Sequence, residues 1–156
     1  MKLDVNHIST YSLMINDNTI FGVRKEKNIS EDLDSEMYYF ICNYLQEQGF
    51  NHYEISNFCK DNTYSRHNLV YWNNMEYYGI GLGASGYINN LRYDNTRSMY
   101  NYLKGNYELN RELLDKNAII SYELILDFRL INGINKQEFY NKYNIELIDM
   151  YNIKEL

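Results

Sequence analysis

Apolar and polar positions in the first third of the chain follow a pattern that predicts strand, helix and strand. Residues 5–15 are rich in β-branched and aromatic side chains, which favour strands. Apolar side chains recur at helical spacing within residues 30–49, with Ser30 as an N-cap and Gly49 at the C-terminal end. Residues 50–58 return to the strand pattern. This order predicts a βαβ unit with parallel strands and therefore an α/β fold.

The central segment, residues 66–87, joins a polar and aromatic cluster to a series of spaced glycines. The cluster is expected to be irregular or a short helical turn, and its members are His67, Asn68, Tyr71 and Trp72. Residues 78–88 are predicted to form a strand with one face made of Gly79, Gly81 and Gly83. Missing side chains on that face would let a flat group or another backbone approach closely. The glycine spacing is not a dinucleotide fingerprint, because the residues after Gly86 follow a strand and turn pattern.

The remaining chain changes from a hairpin pattern to a helical one. Asn89 and Asn90 are typical of a hairpin turn, and residues 91–93 are predicted to be a short return strand. Helical spacing begins after residue 96, and Asn135 with Glu138 resembles a capping box for the last helix. We therefore expect an α/β part over residues 1–95 and a helical part over residues 96–156, with a truncated or frayed end.

Composition and charge exclude several classes of function. The 156 residues suffice for one domain or for the tail of a larger one. The net charge is -6, and the Lys and Arg residues are scattered, so nucleic acid is not an expected partner. No apolar window reaches the ~18 to 20 residues that span a bilayer, and the N-terminus has no apolar signal core. We expect no transmembrane segment and a cytoplasmic location.

Other reactive side chains are weaker candidates for a site. Cys42 and Cys59 are too few for a metal motif and are expected to be ordinary reduced thiols. His7 and His52 lie on the two predicted strands and are expected to complete local hydrogen-bond networks. Glu54 is either a buried acid that faces a ligand or a strand carboxylate that pairs with an Arg.

Five segments carry a family resemblance: HISTYSLMI, HYEISNFCK, SRHNLVYWNNMEYYGIGLGASGY, LRYDNT and LILDFRLINGI. In this order they resemble the radical S-adenosylmethionine (SAM) proteins of the oxygen-independent coproporphyrinogen III oxidase-like group. The resemblance extends over nearly the whole chain. Within it, HNLVYW is similar to the H-N-x-x-Y-W motif of the haem chaperones of this group.

The resemblance implies the rear part of an incomplete radical SAM βα barrel, followed by a helical C-terminal domain. In the intact family, a C-x3-C-x2-C motif near the front of the barrel holds a [4Fe-4S] cluster, and S-adenosylmethionine is the second cofactor. That motif is absent from these 156 residues, and Cys42 and Cys59 cannot supply three converging thiolates. We therefore expect a fragment that needs the N-terminal barrel half as its partner and does not cleave SAM by itself.

Haem or another porphyrin is the ligand that the resemblance implies. His67 is expected to ligate haem iron through a neutral imidazole, while Tyr71 or Trp72 stacks on the porphyrin. Gly81 and Gly83 would let the macrocycle approach, and Asn68 belongs to the same motif. Residues 11–14 and 84–87 would face the cofactor side of the intact barrel. The alternative is that His67 and Asn68 hold a loop by hydrogen bonds and that Trp72 is part of the core.

Three functions remain open from the sequence. The chain is part of a haem chaperone, the C-terminal part of a coproporphyrinogen III oxidase-like enzyme of porphyrin biosynthesis, or a remnant without independent function. HNLVYW favours the chaperone, because this motif separates the two branches of the group. A remnant would have an unpaired strand edge and a half-open core, and we would expect it to aggregate or oligomerise.

Overall fold

The computed structural model describes residues 4–150, which form two compact units that divide between Ser65 and Arg66. The first unit contains a three-stranded sheet, one long helix and one short helix. In chain order its elements are β1 (His7–Ser9), α1 (Ile20–Val23), α2 (Glu31–Glu47), β2 (Asn51–Glu54) and β3 (Asn57–Cys59). The predicted boundary near residue 95 falls within the second unit, and the division into a barrel segment and a helical domain stays a prediction.

Helix α2 confirms the helix predicted over residues 30–49. The hydroxyl of Ser30 accepts the backbone N–H of Leu33 at 3.3 Å, and three acidic residues follow in the first turn, where the helix dipole favours them. Gly49 ends the helix with a φ of +82°, a conformation that glycine adopts without strain. One face of α2 packs its Leu45 against Phe50 and Phe58, and this cluster is the core of the first unit.

The predicted βαβ unit is confirmed in the direction of its strands but not in their pairing. Strand β3 lies between β1 and β2 and is antiparallel to both of them, so β1 and β2 run parallel to each other without pairing directly. Residues 50–58, predicted as one strand, form the β2–β3 hairpin with Ile55 and Ser56 at its turn. These two residues carry no Gly or Asn-Gly turn signal, so the alternating pattern continues through the turn unbroken. The first strand is also shorter than predicted, because only His7–Ser9 pairs with β3.

The second unit contains an antiparallel sheet and five helices within the described chain. Its elements are α3 (Arg66–Trp72), β4 (Ser85–Ile88), β5 (Leu91–Asn95), α4 (Met99–Leu103), β6 (Glu108–Leu113), α5 (Lys116–Asp127), α6 (Lys136–Tyr143) and α7 (Leu147–Met150). The sheet order is β4-β5-β6. Asn89 and Asn90 form the predicted two-residue hairpin turn, with φ values of 50° and 62° that match a type I′ turn.

Two strand predictions in the second unit need correction. The strand predicted over residues 78–88 is limited to Ser85–Ile88, because the preceding glycines form a loop. Strand β6 lies in the part expected to be helical and was not predicted. Its sequence, ELNREL, is exposed along its whole length and lacks the alternation that marks a half-buried strand. It forms because its backbone pairs with β5, from Leu91 opposite Leu113 to Asn95 opposite Glu108.

The helical end of the described chain is organised by capping residues and one apolar cluster. Asn135 caps α6, and its side-chain amide donates to Glu138 Oε1 at 2.9 Å, which confirms the predicted pairing of these two residues. The cluster joins α5 to α6 through Ile120, Leu124 and Phe139. Within residues 4–150, no helix combines the length and the apolar character that a membrane crossing requires.

A buried carboxylate lies beside this cluster. Glu123 on α5 is 7% exposed and accepts hydrogen bonds from Lys142 Nζ and the Tyr143 hydroxyl of α6. Burial raises the pKa of Asp127, one turn further along α5, to about 6, and the negative charge of Glu123 adds to this shift. Glu138 also raises the pKa of Asp127, whereas Lys142 lowers it. The α5–α6 contact therefore contains an acid that titrates near neutral pH.

We predict that Asp127→Asn stabilises the second unit in a pH-dependent way. The folded-state pKa of Asp127 lies above its ordinary value of 3.8, so its stabilising contribution is complete below about 3.8 and is lost as pH rises through about 6. The neutral variant should therefore melt at a higher temperature than the parent at about pH 8 and lose this advantage at about pH 4. The melts can be followed by the fluorescence of Trp72, the single tryptophan.

Glu146→Gln, which removes one exposed carboxylate from the same unit, controls for the change in net charge. A stability difference between Asp127→Asn and the parent that does not vary with pH would contradict the assignment.

Candidate functional site

Helix α3 carries the polar and aromatic cluster that the sequence predicted as a site. His67 and Tyr71 are one helical turn apart, and Nε2 of His67 shares a hydrogen bond of 2.7 Å with the Tyr71 hydroxyl. Their ring centroids lie 4.8 Å apart in an edge-on arrangement. Tyr71 in turn meets the ring of Tyr77 edge-on at 4.6 Å. His67 is exposed and the two tyrosines are half-buried, so the structure makes a row of three rings that ends in an accessible imidazole.

Tyr77 fixes this row to the sheet. Its backbone exchanges two hydrogen bonds with Tyr87 of β4, at 2.8 Å and 2.9 Å. Burial raises the pKa of the Tyr77 hydroxyl, so the ring stays neutral at physiological pH. The aromatic row is thus held at one end by a helix and at the other by a strand.

Trp72 lies at the end of α3 and stacks with Arg129, which follows α5. The guanidinium carbon of Arg129 is 4.5 Å from the centre of the Trp72 ring, within the range of a cation–π contact. Both side chains are half-buried. Asn68 is also half-buried on α3, one turn before Trp72. The contact brings together two sequence motifs, HNLVYW and LILDFRLINGI, that are far apart along the chain.

Arg92 on β5 connects the end of α3 to the sheet and to α5. Its Nη2 donates to the side-chain oxygen of Asn74 at 3.0 Å, and the Asn74 amide donates to the carbonyl of Ile119 at 3.4 Å. The guanidinium carbon contacts two rings, 4.7 Å from the centre of Tyr87 and 4.1 Å from that of Tyr122. Asn74 is buried and has a φ of +47°. These contacts join the segment that follows α3 to the sheet and to α5.

The spaced glycines lie in a loop and not on the face of a strand, contrary to the prediction. Gly81 and Gly83 have φ values of +109° and +71°, which other residues adopt only with strain. Asn95 holds the loop by donating from its side-chain amide to the carbonyls of Gly79 and Gly81, at 3.0 Å and 2.9 Å. A Cβ at Gly79 would lie 2.4 Å from the backbone of Ser85. A close backbone approach, one of two roles predicted for these glycines, is therefore found at Gly79.

The weaker candidates lie in the first unit and make local contacts. His7 Nε2 is 2.8 Å from the Tyr53 hydroxyl, and the His52 ring stacks on Phe58 with 4.4 Å between centroids. Glu54 is fully buried and accepts a hydrogen bond from the side-chain amide of Asn57. His52 Nε2 also donates to the carbonyl of Ile55 at 3.3 Å, so the expectation that both histidines complete local networks is confirmed. Glu54 is buried, and a role of this acid towards a ligand stays a prediction.

The two cysteines do not fit an iron–sulfur cluster. Cys59 is fully buried in β3, and burial raises the pKa of its thiol, which disfavours the thiolate that a cluster requires. Cys42 packs on α2 against the core of the first unit. In the part of the chain that the structure describes, no three His, Cys, Asp or Glu side chains converge as a metal site.

Three residues that support the site were not predicted from the sequence, namely Tyr77, Arg92 and Arg129. Two of these three residues could have been singled out from the sequence by the motifs in which they lie. Arg92 lies in the motif LRYDNT, and Arg129 interrupts the apolar segment that includes LILDFRLINGI. A cation within an apolar segment needs a partner, and an aromatic face is one such partner. The partner itself, Trp72, is 57 residues away (129 − 72) and could not be assigned from sequence.

Comparison with known proteins gives a consistent set of relatives. The heme chaperone HemW of Lactococcus lactis is 38% identical over 158 residues, which cover 97% of this chain and 42% of that protein. HemW of Bacillus subtilis is 32% identical over 160 residues, with the same coverage of each chain. The mitochondrial radical S-adenosyl methionine domain-containing protein 1 of Danio rerio is 38% identical over 85 residues, 52% of this chain and 19% of that protein.

Over nearly its whole length the chain is similar to HemW proteins, which confirms its resemblance to the radical SAM proteins of the coproporphyrinogen III oxidase-like group. It spans less than half the length of the HemW relatives that it matches, in their C-terminal portion. No family model matches the sequence.

The fold of the family is also recognised in a solved structure. The radical SAM enzyme coproporphyrinogen III oxidase (HemN) from Escherichia coli superposes with a TM-score of 0.68 at 12% identity, over 92% of this chain and 38% of that one. At this identity the likeness is one of fold. The chain therefore shares the mixed helix and sheet arrangement of part of a radical SAM protein.

We predict that Arg92→Met destabilises the second unit by about 2–4 kcal/mol, since it removes a charged hydrogen bond and two cation–π contacts. Denaturant unfolding followed by Trp72 fluorescence measures the loss. Arg111→Met is the matched control, because Arg111 is exposed and makes only a surface ion pair with Glu108. Equal stability of the two variants would show that Arg92 does not have this role.

Proposed function

We propose that this chain supplies haem contacts of a radical SAM haem chaperone, with His67 as a ligand of the haem iron. The observation that carries the proposal is the exposed imidazole at the end of the aromatic row on α3. Relatives with 32–38% identity over most of this chain are named heme chaperones, and the imidazole belongs to the motif HNLVYW. Neutral imidazole is a common ligand of haem iron.

Tyr71 gives the imidazole a defined orientation. The Tyr71 hydroxyl is hydrogen-bonded to Nε2 of His67. The other ring nitrogen of His67, Nδ1, makes no hydrogen bond within residues 4–150. Histidines that bind metals usually donate from one ring nitrogen to a neighbouring acceptor and ligate with the other. We therefore assign Nδ1 to the iron and the Nε2–H donor to the Tyr71 hydroxyl.

The remaining predicted contacts surround the iron ligand. Tyr71 and Trp72 are proposed to pack on the porphyrin, with Asn68 on the same helix. Gly81 is proposed as a contact because no atom lies within 4 Å of the position of a Cβ on it, so its loop leaves room for a flat group. Gly83 in the same loop belongs to the proposed site. When haem is bound, its iron provides the coordination position that His67 fills.

The N-terminal barrel half of the family is the proposed protein partner. It would cover the apolar side chains that α2 leaves exposed in the first unit, among them Leu33, Met37 and Phe40. That half would also bring the [4Fe-4S] cluster and S-adenosylmethionine, for which Cys42 and Cys59 do not provide a site. No step through the cluster is assigned to this chain, and a cytoplasmic location stays part of the proposal. The alternative of an oxidase-like enzyme rests on likeness of fold alone.

We predict saturable haem binding that His67→Ala weakens by about tenfold or more, since the variant removes the iron ligand. Titration of the purified chain with haem, followed at the Soret band, measures both affinities. His7→Ala is the matched control, because it removes a histidine from the first unit. Tyr71→Phe should weaken binding less than His67→Ala, since it removes only the group that orients the imidazole. Identical titrations of the parent and His67→Ala would contradict the proposal.

A further inference from the structure

Arg129 is a half-buried cation whose guanidinium has no acceptor within residues 4–150. It forms neither a hydrogen bond nor an ion pair through its side chain, and its one described side-chain contact is the Trp72 ring. Its Nε is buried without a partner. The indole Nε1 of Trp72 is likewise buried without a partner. Two neighbouring buried donors therefore lack an acceptor. The Nη groups of Arg129 are not buried, and they are the donors that a ligand can reach.

This arrangement is unfavourable unless an acceptor completes it. A buried donor without an acceptor costs about 1–3 kcal/mol, and more when the donor is charged. Arg92, the other stacked arginine of this unit, also has a buried Nε without a partner, but its Nη2 donates to the side-chain oxygen of Asn74. Arg129 has only the ring, which attracts its charge but does not accept its in-plane N–H groups. A planar anion with two oxygens matches the guanidinium best, because it accepts two parallel hydrogen bonds.

We propose that Arg129, stacked on Trp72, binds a carboxylate group of the ligand that occupies the α3 site. The inference rests on the proposed function in one respect, the identification of that ligand as haem, whose propionates are the carboxylates concerned. Trp72 is five residues after His67 on α3, so the two side chains are separated by a rise of about 7.5 Å and by about 140° around the helix axis. A haem bound at His67 would have to extend past the C-terminal end of α3 for a propionate to reach Arg129. His67 would hold the centre of the ligand and Arg129 its acidic edge.

Trp72 makes the first test independent of haem, because it is the single tryptophan of the chain and lies against Arg129. We expect propionate, at constant ionic strength, to change the fluorescence of Trp72 saturably, whereas propionamide does not. Arg129→Met should abolish the response, and Arg111→Met, which removes an exposed arginine of the same unit, should keep it. An equal response to propionate and propionamide, or a response that survives in Arg129→Met, would overturn the proposal.

The second test compares haem with its dimethyl ester, which keeps the iron and the macrocycle and lacks both carboxylates. We expect the parent chain to bind haem about tenfold more tightly than the ester, the effect of one charge-assisted hydrogen-bonded pair. Arg129→Met should bind both alike, and Arg129→Lys should lie between, since it keeps the charge without the planar fork. Equal affinity of the parent for acid and ester would overturn the proposal even if the Arg129 variants do not fold.

Failure of this proposal is distinguishable from failure of the haem assignment. His67→Ala should weaken haem and its ester by the same factor and leave the propionate response of Trp72 unchanged. If His67→Ala does not change the affinity for haem, while propionate still changes Trp72 fluorescence through Arg129, the carboxylate site is supported and the assignment of His67 as iron ligand is wrong. If His67→Ala weakens haem while acid and ester bind alike, the iron ligand stands and the role of Arg129 is wrong.

Discussion

The contact of Arg92 with Asn74 is the interaction on which the second unit most depends. Asn74 comes two residues after α3, and its amide reaches the carbonyl of Ile119 on α5, while Arg92 belongs to the central strand of the sheet. The rings of Tyr87 and Tyr122 both contact the guanidinium. A helix, a sheet and a second helix thus meet at one charged group, whose charge is stabilised by one oxygen and two aromatic faces.

The orientation of α3 follows from this contact and decides what the helix can do. With its C-terminal end fixed, α3 presents His67 to solvent and turns Trp72 towards Arg129. Tyr71 and Tyr77 connect the exposed histidine to the sheet through edge-on rings. A side chain on a fixed helix loses less conformational freedom on binding a ligand than one on a free loop.

Both units combine a small apolar cluster with buried polar groups. In the first unit Glu54 and Asn57 are buried and hydrogen-bonded to each other. In the second unit Glu123 is buried and accepts two hydrogen bonds from α6. Each unit also leaves large apolar side chains exposed, among them Phe40 in the first and Phe128 in the second. Large exposed apolar faces mark surfaces that other protein segments cover.

The sequence alone determined the local elements whose signals are short-range. Ser30 and Gly49 delimit α2, Asn89 and Asn90 make the hairpin turn, and Asn135 caps α6, because capping and turn preferences depend on neighbouring residues. The family was also recognisable, since several motifs in a fixed order identify relatives without any structure. The polar and aromatic cluster of α3 was identified in the same way.

Only the tertiary structure decided how these elements combine. Strand β3 lies between β1 and β2, and the exposed strand β6 pairs with β5. The pairing of strands depends on the whole fold, and a short polar strand has no hydrophobic pattern from which its partner could be predicted. The glycines lie in a loop because Asn95, more than ten residues away, binds their carbonyls. The contact between Trp72 and Arg129 likewise joins residues that are far apart in the sequence. Contacts between residues distant in sequence depend on packing that no local pattern specifies.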